Sequence, residues 1–73
     1  MEYGGTKYYT IKQIKKDGHV IGNLTLIGRA YGYIVQLHYF DRSGYVINEQ
    51  FDYMGKAENF FRKTWEELKN EID

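Results

Sequence analysis

The fold is decided by residues 30–53, AYGYIVQLHYF-DRSG-YVINEQFDY. In the first eleven residues side chains alternate, with Tyr31, Tyr33, Val35, Leu37 and Tyr39 on one side and Gly32, Ile34, Gln36, His38 and Phe40 on the other. This is the period of a β-strand. Asp41-Arg42-Ser43-Gly44 matches a type I turn closed by a glycine able to take positive φ. A partner strand is then expected over Tyr45–Tyr53, with Tyr45, Ile47, Phe51 and Tyr53 opposite in sense to Val46, Asn48, Gln50 and Asp52. The side with Tyr33, Val35, Leu37, Ile47 and Phe51 is the more apolar and is assigned to a core, which leaves Gln36, His38, Phe40, Asn48 and Gln50 on the other side and Arg42 at the hairpin tip.

Downstream, the period changes from two to about 3.6. From Lys56 onward Ala57, Phe60, Phe61, Thr64, Trp65, Leu68 and Ile72 recur at steps of three or four, the stripe of one amphipathic helix with Trp65 as a core anchor. Glu58, Arg62, Lys63, Glu66, Glu67 and Lys69 fall outside the stripe, and Glu58–Arg62 and Lys63–Glu67 are spaced for ion pairs one turn apart. Upstream, His19–Ile27 alternates in part. Val20, Leu24 and Leu26 oppose Ile21, Asn23, Thr25 and Ile27, and Gly22 interrupts the first set as it would at a bulge. Gly28-Arg29 then reverses the chain. Lys7–Ile14, rich in Tyr, Thr and Ile, reads as a strand entering the turn Lys16-Asp17-Gly18. The same residues admit a short helix capped by Thr10, with Ile11 and Ile14 three apart and Gly18 as its stop. Met1–Thr6, with Gly4 and Gly5, reads as a flexible leader. The expectation is one α+β domain over residues 7–73, an antiparallel sheet of three to four strands on a C-terminal helix in ββββα order.

At 73 residues, 42% hydrophobic and 27% charged, the chain is the size of one small domain. It has no cysteine, hence no disulfide, which suits a reducing cytoplasmic setting. Ten basic side chains balance ten acidic ones, so the summed positive potential that drives nonspecific phosphate binding is missing. The apolar runs are too short for a membrane span.

No catalytic constellation emerges. Ser43 is the only serine and is explained by its turn. The two histidines, His19 and His38, form neither an HxH nor an HxxxH spacing, so no metal or other cofactor is expected. Glu66, Glu67, Glu71 and Asp73 belong to a solvated helix face and terminus. Gly28-Arg29-Ala30-Tyr31-Gly32 matches no phosphate-binding motif and joins two strands. A non-enzymatic role follows. Eight tyrosines, four phenylalanines and one tryptophan exceed what so small a core can hold. Exposed tyrosine is a favoured binding residue because it offers a large rigid contact and a hydrogen bond.

The order aromatic strand, turn with Gly44, second strand, Phe51, then Gly55-Lys56-Ala57-Glu58 opening a helix resembles the AP2-like DNA-binding domain at the N-termini of phage and conjugative-transposon integrases. That resemblance covers about half the chain. It implies a sheet face reading DNA through Gln36, His38, Asn48 and Gln50, with Arg29 and Arg42 near the loops; Gln and Asn suit adenine edges, while the strands lack the basic residues that the family places there. The first expectation is a module that docks on a larger protein through Gln36, His38, Phe40, Arg42, Asn48 and Gln50, or through an unpaired strand edge. In size and style it is like mobile-element inhibitors or adaptors such as anti-CRISPR proteins. An accessory DNA-binding domain is the second expectation, and no membrane partner is expected.

Overall fold

The structure is a computed structural model and describes residues 6–71. Of the expected leader only Thr6 falls within that range, and the last member of the helix stripe, Ile72, and the terminal Asp73 lie outside the described residues. Strands β1 (Lys7–Lys16), β2 (His19–Arg29), β3 (Gly32–Tyr39) and β4 (Ile47–Phe51) form one antiparallel sheet in the order β1-β2-β3-β4, followed by helix α1 (Met54–Glu71). Each strand pairs with its sequence neighbour, so the topology is a simple meander. The α+β class and the element order agree with the sequence reading.

The ambiguous first segment is a strand. Ile11 and Ile14 suit a helical period, but Thr10, Lys12 and Ile14 pair with Leu26, Leu24 and Gly22, and these ladder contacts override the local ambiguity. Asp17 (φ 53°) and Gly18 (φ 81°) close the β1–β2 hairpin with two successive positive φ angles, the backbone of a tight turn whose twist matches that of the strands.

The helix backbone lies over β2, β3 and β4, and β1 meets it only through side chains, Ile14 in the core and Lys12 on Trp65. Beneath it Ile14, Leu24, Leu26, Val35 and Leu37 from the sheet meet Ala57 and Phe61 from α1. Tyr33, Ile47, Phe51, Phe60, Trp65 and Leu68 pack around this centre half-buried. The assignment of Tyr33, Val35, Leu37, Ile47 and Phe51 to the core side therefore holds. Phe51 and Phe60 tie β4 to the helix, with ring centroids 5.2 Å apart.

Four local features differ from the sequence reading. First, Ile21 packs on the core whereas Val20 is exposed, because β2 carries an extra residue there: Ile14 pairs with Gly22 but Lys15 pairs with Val20. An inserted residue reverses the alternation beyond it. Second, β4 starts at Ile47 rather than Tyr45. The chain turns at once after β3, with the Arg42 N–H donating to the Tyr39 carbonyl, and pairing resumes only where the Val46 N–H donates to the Leu37 carbonyl. Third, α1 starts at Met54, two residues early, its first turn closed by the Ala57 N–H on the Tyr53 carbonyl. Fourth, Trp65 sits at the rim of the core, with the Lys12 ammonium 5.6 Å from its ring centroid, while Phe61 is the buried anchor.

Glu58, Arg62, Lys63, Glu66, Glu67 and Lys69 are exposed, as their place outside the stripe requires. Among the described residues the helix pairings are Glu66 with Lys69 at 3.5 Å and the Arg62 guanidinium donating to Asn59 Oδ1, rather than the expected Glu58–Arg62 and Lys63–Glu67 pairs. Exposed pairs of this kind contribute only about 0.2–0.5 kcal/mol each, so the difference matters little to stability.

Candidate functional site

One helix covers one face of the sheet, and strand alternation sends every second side chain to the other face. Register assembles the middle of that open face into three rows across the strands, with Lys15–Val20 beyond the first and Arg29–Gly32 beyond the third. The first is Gln13–Asn23–His38, the second Ile11–Thr25–Gln36–Asn48, and the third Tyr8–Ile27–Ile34–Gln50. None of these eleven side chains carries a fixed charge. The helix's outer surface, in contrast, is densely charged.

The third row is apolar for three of its four members, and Ile27 is only 2% exposed despite having no helix above it. Its cross-strand neighbours Tyr8 and Ile34 flank it on either side. Tyr8 and Ile11 are themselves 60% and 55% exposed. In the second row the Gln36 side-chain amide donates to Asn48 Oδ1 at 3.3 Å, which joins β3 to β4 across the face.

At the β3–β4 end the first row runs into an aromatic cluster. The His38 ring meets Phe40 edge-on at 6.0 Å and Tyr45 edge-on at 5.7 Å between centroids. His38 Nε2 lies 3.0 Å from the Arg42 carbonyl oxygen, so the tautomer that makes this bond carries its hydrogen on Nε2. This bond fixes the loop against the strand, and the loop in turn holds Phe40 and Tyr45 half in solvent. Beside the cluster a groove of about 460 Å³ is lined by Val20, Ile21, Tyr39, Phe40, Asp41 and Arg42.

Of the residues singled out from sequence, Gln36, His38, Asn48 and Gln50 lie on the open face within β3 and β4, and Phe40 joins them from the loop through His38. Arg42 is directed elsewhere. Its guanidinium lies 5.5 Å from the Tyr39 ring centroid, with Nε 3.9 Å from Asp41 Oδ1, and only its carbonyl reaches His38. Sequence reasoning set Ile34 on the same side as Gln36 and His38 but missed Tyr8, Ile11, Gln13, Asn23, Thr25 and Ile27 as parts of the same surface, and it missed Tyr45 as a neighbour of His38. The alternation of Asn23, Thr25 and Ile27 was the available signal.

Ser43, His19, Glu66 and Glu67 are exposed and lie on three separate segments of the chain. Among the described residues no three His, Asp or Glu side chains are grouped to hold a metal ion, and no helix is long and apolar enough to cross a membrane. No family model, curated protein or solved structure matches this chain.

Proposed function

We propose that this chain is a non-enzymatic binding module that docks on a larger protein through the open face of its sheet, acting as an inhibitor or adaptor. One observation carries the reading: eleven adjacent positions on that face lack a fixed charge, although 27% of the chain is charged. A sheet face whose only task is to stay in water is well served by Lys and Glu. Depletion of charge, with aromatic and amide groups in its place, is instead the composition of the centre of a protein interface. The half-exposed Phe40 and Tyr45 supply rigid anchors, and the Gln36–Asn48 pair supplies hydrogen-bonding groups already held in place.

A nucleic-acid partner fits this face less well. Phosphate contacts come from Lys and Arg, and the three rows contain neither; the basic residues of the face, Lys15 and Arg29, stand apart at its two ends.

Site-specific photocrosslinking in the native host tests the proposal. A benzophenone amino acid at Phe40 should trap a protein in an adduct that survives nuclease treatment, and the same group at Glu58 on the helix should not. Adducts confined to Glu58, or adducts at Phe40 that nuclease removes, would overturn it.

A further inference from the structure

Strand β1 is an edge with unusual properties. Its ten residues pair only with β2, the helix backbone lies over the other strands and touches β1 only through side chains, and only Ile14 among its side chains is buried. Along the outer side, among the described residues, its backbone N–H and C=O groups have no strand to pair with, the condition that invites another strand. Its charge is one-sided too. Lys7, Lys12, Lys15 and Lys16 lie in β1 with no acidic residue among its ten. The ion pairs of the described residues, Asp41–Arg42 and Glu66–Lys69, involve none of them. Two of these ammonium groups rest on aromatic rings instead, Lys7 over Tyr9 at 5.1 Å and Lys12 over Trp65 at 5.6 Å.

We propose that the outer edge of β1 accepts an extended acidic segment of a protein partner, which adds to the sheet as a fifth strand with its carboxylates beside these lysines. The inference rests on the protein-docking reading and names the chemistry of the partner's segment next to the open face. Backbone pairing would supply affinity, and charge would supply selectivity. A second copy of this chain is a poor occupant: antiparallel pairing of β1 with itself about its midpoint sets Lys7 against Lys16 and brings both sets of lysines together without a counter-charge. A nucleic acid is also disfavoured. It has no regular ladder of donors and acceptors to meet the strand's, and the lysines are divided between faces, Lys12 on the helix side and Lys15 on the other.

The test uses a capped decapeptide of alternating glutamate and valine, titrated into the full chain. The single tryptophan, Trp65, reports through its fluorescence because Lys12 lies on its ring. Saturable binding is expected, with new hydrogen-exchange protection at alternate amides between Tyr8 and Lys16. The lysine–valine decapeptide and a ten-nucleotide oligothymidine should bind at least about tenfold more weakly. Reversing charge in Lys12→Glu/Lys15→Glu should invert the peptide preference. Lys15→Glu/Lys16→Glu, which leaves the Trp65 contact intact, should weaken the glutamate peptide in the same direction. Protection at β4 or the helix instead of β1, equal binding of all three probes, or tighter binding of the oligonucleotide would overturn the proposal. The crosslinking at Phe40 is read separately, so failure at the edge and failure at the face are distinguishable.

Discussion

Phe61→Ala should abolish cooperative folding. Phe61 is 7% exposed and joins Ala57 in the group that meets Ile14, Leu24, Leu26, Val35 and Leu37. Truncating a buried phenylalanine costs about 3–5 kcal/mol, from lost transfer energy and the cavity left behind. A single core of this size supplies roughly 3–5 kcal/mol of net stability, so the loss consumes the whole margin. Circular dichroism should then show no sharp thermal transition at 25 °C or above. Trp65→Ala, at the rim of the same core, should leave a transition at lowered temperature. A Phe61→Ala variant that melts as sharply as the parent would contradict the placement of the helix.

Gly22→Val should be nearly as damaging, for a different reason. Gly22 stands beside the β2 bulge, paired with Ile14 on one side and Tyr39 on the other. A Cβ built there collides with the backbone carbonyl of His38 and comes within 3.1 Å of the Tyr39 Cα. Backbone atoms in a ladder cannot swing away, so β2 and β3 must separate, at a cost near the upper end of overpacking, about 3 kcal/mol. Gly28→Ala is the informative comparison. Its Cβ would meet the Tyr9 ring at 2.6 Å, yet Tyr9 is 41% exposed and its side chain can rotate aside. That variant should cost less than about 1.5 kcal/mol. Chemical denaturation of the two variants checks the pair, and equal losses would contradict this reading of the bulge.

These two positions also show which parts of the structure were legible in the sequence. Phe61 declared itself through spacing, since a stripe at 3.6-residue period needs only the helix's own residues. Strands β3 and β4 were similarly clear from alternation in 30–53, and so was their core side. The bulge at Ile21 was harder. Gly22 hinted at it, but alternation alone does not tell which neighbour is the inserted residue, and one insertion sent Ile21 inward and Val20 out. Trp65 was placed too deep because periodicity gives a direction and not a depth; the helix backbone does not lie over β1, so on that side the ring meets only the Lys12 side chain at the sheet's edge.

The candidate site divides along the same line. Gln36, His38, Asn48 and Gln50 follow from alternation within one hairpin. Tyr8, Ile11 and Gln13 join them only through the register of β1 on β2, a long-range property that no local window contains. The contact of Tyr45 with His38 depends on a loop that leaves the ladder at Phe40, where a longer strand was expected. Charge depletion on the open face thus became visible only once three rows could be assembled from four strands.

The most direct measurement of the central claim is the affinity of the crosslinked partner for Gln36→Glu. Gln36 lies mid-face in the second row; glutamate matches it in size and can accept from the Asn48 amide once that side chain turns, so the exposed pair is kept and the melting temperature should stay close to the parent's. Burying that carboxylate without a cation in an uncharged interface should weaken binding by about 2 kcal/mol or more, roughly thirtyfold. Glu58→Gln on the helix should leave affinity unchanged. Binding by Gln36→Glu within twofold of the parent, in a variant of unaltered stability, would contradict the claim that the open sheet face is the docking surface.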